Sequence, residues 1–205
     1  MSLYRISEVI CGTIFRAYFR QQVEGVESVP DSGAFVLAAN HVSYLDPPVL
    51  GVACPRRVHF MAKAELFDIP VLGLVIRQLG AFPVHRNGAD RQAIRWALQL
   101  LDEGRVVGVF PEGTRSRSGK LLNPQGGAAL LALKAGVPVV PAGIWGTGDV
   151  DGPFHFPKPV RIGVRFGKPL DFGHPRVVNR KAIDDASERI MSEVQRLLLG
   201  ATNGL

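Results

Sequence analysis

The sequence predicts a single α/β domain with a mainly parallel sheet flanked by helices, preceded by an amphipathic amino-terminal helix. After Pro30, short apolar runs alternate with helical segments, which is the pattern of strands joined by helical crossovers. The chain has 205 residues, of which 46% are apolar and 20% are charged, and this suits one domain with a sizeable core. No internal repeat, low-complexity segment or linker indicates a second domain.

The predicted strands are short, almost continuous apolar runs, so both of their faces are expected to be buried. They lie at residues 34–39, 57–62, 81–85, 106–110 and 137–144. The alternating stretch RIGVRF at residues 161–166 predicts a later strand.

Helices are predicted between these strands and at the end of the chain, near residues 47–53, 70–79, 89–103, 124–135 and 180–199. The clearest is 89–103, which has Ile94, Ala97 and Leu101 on one face. Gly104 is placed to end it. Residues 145–159 are rich in glycine and proline and are predicted to form a surface loop.

Residues 3–20 have helical periodicity, with a narrow polar stripe and a wide apolar arc that includes aromatic residues. Such a helix either lies in the plane of a membrane surface or packs on the core of its own protein. No uncharged apolar run approaches the roughly 20 residues of a spanning helix. No secretory signal is recognisable, because Glu8 and Arg16 bracket the only apolar stretch near the start.

The charge of the chain indicates an anionic ligand or surface. The net charge is +6, and 18 of the 24 basic residues are arginine, whose planar donors suit phosphate oxygens. A phosphorylated ligand, an anionic lipid surface, nucleic acid and a merely basic surface are all compatible with this balance. The two cysteines, Cys11 and Cys54, are isolated and have no metal-binding spacing.

The stretch NHVSYLDPP, residues 40–48, places a histidine directly after a predicted strand. That position lies at the edge of the sheet where α/β proteins bind ligands. Asp46 precedes two prolines, as a helix N-cap does, and a short loop would let its carboxylate orient His41 as a base. The interval alone proves little, because His85 and Asp90 repeat it. A purely structural role therefore stays open at this point.

Three further strand ends carry basic residues. FPEGTRSRSG, residues 110–119, includes Arg115, which could clamp a phosphate, or could simply belong to a charged surface turn. Lys63 and Arg86 follow two other predicted strands. If the sheet is parallel, these residues and His41 share one edge, which predicts a pocket for an anionic substrate.

These residues resemble the glycerolipid acyltransferase family with the NHxxxxD motif, in particular its bacterial 1-acylglycerol-3-phosphate acyltransferases. Four blocks occur in the order of the family, and residues 61–66 resemble the stretch between the first two. The likeness covers residues 23–170. The blocks are NHVSYLDPP (40–48), GAFPVHR (80–86), FPEGTRS (110–116) and VPVVPAGI (137–144).

The resemblance implies a role for each matching residue. His41 would be the general base and Asp46 would orient it, with no acyl-enzyme intermediate. The residues implied to bind the glycerol phosphate are Arg86, Glu112, Gly113, Thr114 and Arg115. Asn40 and Pro141 match the blocks without a defined role, and Lys63 is a candidate only from its position at a strand end.

The expected reaction moves an acyl group from acyl-CoA or an acyl carrier protein to lysophosphatidate, with no bound cofactor, no metal and no nucleic acid. Glycerol phosphate and other lysophospholipids stay open as acceptors. Residues 1–22 are expected to be a membrane-associating helix and residues 23–205 the acyltransferase domain, attached peripherally to the cytoplasmic face of the cell membrane.

Two other functions were weighed against acyl transfer. A hydrolase using Ser43 would need the frame G-x-S-x-G, which no serine here has. A module that only binds anionic lipid is permitted by the charge alone.

Overall fold

The computed structural model describes residues 3–70, 72–78, 80–84, 91–150 and 157–202. The helices in these residues are α1 (Leu3–Ala17), α2 (Asp46–Ala53), α3 (Leu72–Gln78), α4 (Arg91–Asp102), α5 (Gly127–Ala135) and α6 (Arg180–Thr202). The strands are β1 (Gln22–Glu24), β2 (Phe35–Ala39), β3 (Val58–Lys63), β4 (Phe82–Val84), β5 (Val106–Val109), β6 (Val139–Trp145) and β7 (Gly163–Phe166).

The strands form one sheet in the order β1-β7-β6-β2-β5-β3-β4. The pairs from β6 through β2, β5 and β3 to β4 are parallel. β7 pairs antiparallel with β6 and parallel with the edge strand β1, so β1 and β7 run opposite to the other five strands. The predicted α/β fold with a mainly parallel sheet is confirmed.

β2 lies in the middle of the sheet, and all five of its residues are fully buried. Successive side chains of a strand point to opposite faces. Phe35, Leu37 and Ala39 accordingly join the core cluster on one face. Val36 and Ala38 join the cluster on the other. This explains why the strand reads as a continuous apolar run.

α1 and α2 cover the first face of the sheet. Phe15, and Phe19 just after the helix, are only 4% exposed and belong to the core on this face. On the other side of α1, Val9, Ile10 and Ile14 are exposed. α1 therefore combines the two alternatives that its sequence left open: it packs on the core and also presents an apolar surface.

α4, α5 and α6 cover the opposite face, where alanines allow close packing on the sheet. Gly104 has φ of +74° and its N–H bonds to the carbonyl of Leu101, so it ends α4 as predicted. The predicted helix at 89–103 begins at Arg91 in the described part, because residues 89 and 90 lie outside it.

Several boundaries differ from prediction. β1 was not predicted, since three exposed residues have no apolar pattern to reveal them. α1 ends at Ala17 rather than residue 20. Within the described residues, no helix combines the length and the apolar character needed to cross a membrane.

Candidate active site

The carboxyl ends of β2, β5, β3 and β4 lie along one edge of the sheet, because these strands are parallel neighbours. After β2 the chain enters α2 on one face, and after β5 it enters α5 on the opposite face. Loops that diverge in this way open a crevice, which is the usual ligand-binding position in α/β sheets. Of the residues predicted at these strand ends, His41, Lys63 and Arg115 therefore share an edge.

His41 and Asp46 are in direct contact. His41 Nδ1 lies 2.8 Å from Asp46 Oδ2, and the side chain of Asp46 is fully buried, whereas that of His41 is 12% exposed. The imidazole stacks on the Phe110 ring with centroids 4.1 Å apart and an angle of 20° between the planes. These contacts hold the ring in one orientation, with one edge accessible.

The carboxylate of Asp46 accepts hydrogen bonds from several donors. Besides His41, the N–H groups of Val42 and Ser43 donate to Oδ2 at 2.6 and 2.8 Å. The hydroxyl of Thr147 donates to Oδ1 at 2.6 Å. Because these partners make the carboxylate an acceptor, His41 Nδ1 carries the proton that points at it. In the neutral imidazole, Nε2 then has a free lone pair.

Asp46 does not cap α2, and this corrects the interpretation of DPP as an N-cap. Leu45 precedes the first turn, and Asp46 is itself the first helical residue. Pro47 and Pro48 have no N–H to donate to a cap, so the carboxylate has no helical donor nearby. It turns back instead to the N–H groups of the loop at Val42 and Ser43.

Thr147 was not identified from the sequence. It lies in the stretch 145–159 predicted as a surface loop, yet it is only 1% exposed and contacts the carboxylate of Asp46. The surface-loop prediction is wrong for Trp145, which ends β6, and for Thr147. The sequence feature that could have identified Thr147 is its position just after a strand that ends at the same sheet edge as β2.

Glu112 connects the loop after β5 with the loop after β2. Its carboxylate is 2% exposed and accepts from the N–H of His41 at 2.8 Å and from the N–H of Leu122 at 2.8 Å. The N–H of Ser116 donates to the carbonyl of His41 at 2.7 Å. The FPEGTRS segment thus fixes the main chain of His41 from both sides, while direct contact of Glu112 with a substrate stays a prediction.

Asn40 ties the histidine loop to the neighbouring strand. Its buried amide donates to the carbonyl of Ile144 at 2.9 Å and accepts from its N–H at 2.7 Å. Pro141 belongs to the same sequence block as Ile144, lies inside β6 and pairs with Ala38. Both residues position the sheet edge, so the structure gives the first and fourth blocks a shared framework.

Gly113 and Thr114 are exposed, and Arg115 is half-buried. Gly113 has φ of +68°, a conformation that L side chains rarely adopt. The guanidinium carbon of Arg115 lies 3.4 Å from the centroid of the Tyr44 ring, which is a stacked cation–π contact. Tyr44 was not singled out from the sequence, since nothing local indicates a partner 71 residues away.

Lys63 and Arg86 are the two remaining candidates. Lys63 ends β3, and its Nζ is 2.9 Å from Glu65 Oε1 on an exposed surface. Arg86 lies outside the described residues, as does the second pair, His85 and Asp90. The substrate contacts assigned to Lys63 and Arg86 stay predictions.

Known proteins are similar to this chain in sequence. Residues 20–145 match the family model described as Acyltransferase. A 1-acyl-sn-glycerol-3-phosphate acyltransferase of Bacillus subtilis is 32% identical over 182 residues, covering 86% of this chain and 89% of that protein. One from Streptococcus pneumoniae is 33% identical over 165 residues, covering 80% of this chain and 60% of that protein.

A solved structure is similar in fold. The crystal structure of the 1-acyl-sn-glycerophosphate acyltransferase PlsC from Thermotoga maritima has a TM-score of 0.76 and 30% identity, covering 95% of this chain and 79% of that one. The fold and the oriented histidine define an enzyme of the acyl-transfer class. The chain belongs to the acyltransferase family.

Proposed function

We propose that this enzyme transfers a fatty acyl group from an acyl thioester to the free hydroxyl of lysophosphatidate, giving phosphatidate. The observation that carries the proposal is the oriented pair of His41 and Asp46 beside the accessible loop Gly113 to Arg115. The relatives from Bacillus subtilis and Thermotoga maritima are named as acyltransferases of 1-acylglycerol-3-phosphate, which supports the same acceptor. Glycerol phosphate and other lysophospholipids would undergo the same chemistry.

The pair supports a direct transfer. His41 Nε2 removes the proton of the acceptor hydroxyl while its oxygen attacks the thioester carbonyl carbon, and Asp46 stabilises the imidazolium that forms. The carbon–sulfur bond then breaks, and the leaving thiolate takes the proton from the imidazolium. An ester and a free thiol result, and the imidazole returns to its neutral form.

The candidate nucleophiles of the chain argue against a covalent acyl-enzyme. The Ser43 hydroxyl accepts from the N–H of Leu45 at 3.2 Å, and among the described residues it makes no hydrogen bond to His41. Burial raises the pKa of the Cys54 thiol to about 11 and also raises the pKa of Cys11. Neither thiol is therefore activated as a thiolate.

Phosphate recognition is proposed for Arg115, with Arg86 as a second contact. A guanidinium offers two parallel donors to a phosphate, and the exposed Thr114 adds an N–H group beside it, whereas the N–H of Gly113 already donates to the carbonyl of Phe110. We propose that Lys63 contributes at the same edge, either to phosphate or to the developing oxyanion.

Attachment to the cytoplasmic face of the membrane is proposed through the exposed side of α1. Val9 and Ile10 are 56% and 54% exposed, and the chain carries a net charge of +6. An apolar helix surface on a basic protein favours an anionic bilayer, where a long-chain acceptor resides.

The decisive experiment replaces the proposed base. His41→Ala should lower kcat for lysophosphatidate acylation by roughly 10²–10⁴-fold, the usual contribution of a general base. Acylated product and free fatty acid are measured together by mass spectrometry, with lysophosphatidate, glycerol phosphate and larger lysophospholipids as acceptors.

Flotation with anionic vesicles is the control for His41→Ala, and it should be unchanged because the proposed attachment uses the exposed side chains of α1 and not His41. Retained activity in this variant would remove the base assignment. Rapid release of fatty acid without acylated product would replace transfer with hydrolysis.

A further inference from the structure

The ring of Phe110 lies against the imidazole of the proposed base. The two ring centroids are 4.1 Å apart, and the angle between the planes is only 20°, so the rings stack face to face. Phe110 follows β5 directly and is half-buried. The face of a benzene ring is the negative side of its quadrupole, and it attracts a positive charge that lies over it.

The imidazole becomes positive during the proposed transfer. When Nε2 of His41 takes the proton of the acceptor hydroxyl, the positive charge spreads over the imidazole ring that lies on Phe110. The side chain of His41 is only 12% exposed, so little water screens this charge. A cation within about 6 Å of an aromatic centroid is attracted, and more strongly where water is excluded. The stack therefore favours the charged state over the neutral one, which is the kind of contact that raises kcat.

A second aromatic ring supports Phe110. Phe60, on β3, lies nearly parallel to it, with centroids 6.0 Å apart and 13° between the planes. This separation corresponds to offset stacking, a favourable arrangement for two aromatic rings. Both phenylalanines pack against the core cluster on the face of the sheet that α1 and α2 cover. The position of Phe110 is therefore set by the core.

Gly108 makes room for Phe60. It lies within β5 and has no positive φ, so its backbone conformation does not require a glycine. A Cβ atom at this position would lie 2.5 Å from Phe60 Cδ1 and 2.8 Å from Val58 Cγ1, which is too close for either contact. A glycine inside a strand often marks such a close approach. The missing side chain at Gly108 therefore determines where Phe60 can pack, and through Phe60 it affects Phe110.

We infer that the face of Phe110 stabilises the imidazolium that forms on His41, and that Phe60 and Gly108 hold Phe110 at the distance that this requires. Phe110 is a positioning residue in this scheme, since it acts through His41 and not on the substrate. The inference rests on the proposed acyl transfer, in which His41 takes the proton.

The test weakens the charge on the face of Phe110 with little change in its shape. Mono-, di- and trifluorinated phenylalanines are incorporated at this position in the full-length enzyme, and palmitoyl-CoA and lysophosphatidate are the substrates. Each fluorine withdraws electron density from the face, so kcat should fall stepwise while both KM values stay the same. Phe110→Leu should lower kcat by roughly 3- to 30-fold, and Phe110→Tyr, which keeps an aromatic face, should stay within about twofold of the wild type.

The matched control places the same fluorinated analogues at Phe35, a buried phenylalanine at the start of β2 in the same core cluster. There kcat should not change. An equal trend at both positions, or no trend at Phe110, would overturn the inference. Thermal unfolding of every variant shows whether it is folded.

Gly108→Ala tests the support beneath Phe110. Its methyl group should displace Phe60 and lower kcat by about threefold or more with KM preserved, because overpacking a core moves its side chains. The control is Gly51→Ala, whose Cβ would be in ordinary contact with the same ring, 3.5 Å from Phe60 Cε2, and should leave kcat unchanged. Equal kinetics of the two variants would remove Gly108 from the inference. If Gly108→Ala does not fold, the fluorinated series still decides.

Nitrogen NMR separates this inference from the proposed function, because it needs no turnover. At a fixed acidic pH, the fraction of imidazolium at His41 should fall along the fluorinated series and in Phe110→Leu. Every variant retains the charged groups at this sheet edge, which are Asp46, Lys63, Glu112 and Arg115.

If the imidazolium fraction falls in this way while no acceptor is acylated, the inference stands and the proposed reaction fails. If the fraction is the same in all variants, the inference is wrong, even where acyl transfer proceeds. Phe110 would then serve only as packing for the imidazole.

Discussion

The two loops at the catalytic edge differ in how their polar groups are used. In the histidine loop, residues 40–46, the side chains of Asn40 and Asp46 are buried and bonded inside the protein. In the loop after β5, Glu112 is likewise buried and bonded to the N–H of His41, but Gly113 and Thr114 are exposed and Arg115 stacks on Tyr44. The contrast fits the proposal that the first loop orients the base and that the exposed part of the second loop receives the ligand.

This division predicts that changes in the buried network lower kcat, whereas changes in the exposed loop raise the acceptor KM. Breaking a buried polar network costs free energy, since a buried donor or acceptor that loses its partner has no water to replace it. Exposed groups are hydrogen-bonded to water in the free protein, so removing them mainly weakens the binding of the ligand.

The largest effect is expected for Asp46→Asn. The new amide would direct two N–H donors toward the N–H groups of Val42 and Ser43 or toward His41, in place of a carboxylate that accepts from all of them. His41 would lose its orientation, and kcat should fall by roughly 10²–10⁴-fold. Steady-state kinetics measure the change, with thermal unfolding as the control for folding.

A kcat within about tenfold of the wild type in Asp46→Asn would show that His41 does not depend on this carboxylate. The proposal that the histidine loop serves to orient the base would then be wrong.

Thr147→Val should have an intermediate effect on kcat. It removes the hydroxyl that donates to Asp46 Oδ1 and keeps the shape of the side chain. An unsatisfied buried acceptor costs about 1–3 kcal/mol, so kcat should fall on the order of tenfold while the acceptor KM is little changed.

The matched control is Thr147→Ser, which retains the hydroxyl and should restore most of the activity. Solution NMR gives a second readout, because the Nδ1–H resonance of His41 should move in the valine variant and return in the serine variant. If both variants lose activity equally, Thr147 only fills space.

Arg115→Lys tests the exposed loop. A lysine keeps the charge but replaces a planar fork with a point charge, so one of two charge-assisted bonds to phosphate is lost. The acceptor KM should rise by roughly 10- to 100-fold, given about 1.5–3 kcal/mol for a hydrogen bond to a charged group. An unchanged KM would remove Arg115 from the phosphate site.

The smallest effect is expected for Tyr44→Leu. Without the aromatic ring, Arg115 loses a stacked contact of about 0.5–1 kcal/mol at an exposed site, so the acceptor KM should rise about 2- to 5-fold with kcat preserved. Tyr44→Phe keeps the ring and should behave as the wild type. A fall in kcat without a change in KM would place Tyr44 in the histidine loop's own network instead.

Much of the site could be predicted because its strands are recognisable in the sequence as continuous apolar runs. β2 and β5 are apolar on both faces, so their ends were identifiable, and His41 and the FPEGTRS segment follow those ends directly. The parallel sheet then brings the two segments together, as expected. Thr147 was not predicted because the sequence does not distinguish a threonine that faces solvent from one that bonds to a carboxylate 101 residues away.

The sequence by itself determined the order of strands and helices, the family, and the candidate pair of His41 and Asp46, because these depend on local pattern and on residue types in order. Only the tertiary structure decided which partner each polar group has. It removed the predicted helix cap at Asp46, added Thr147 to the donors that bond its carboxylate, and placed the carboxylate of Glu112 against the N–H of His41. The physical reason is that hydrogen bonds need separations near 3 Å, and only the packing of non-adjacent strands sets distances so short between remote residues.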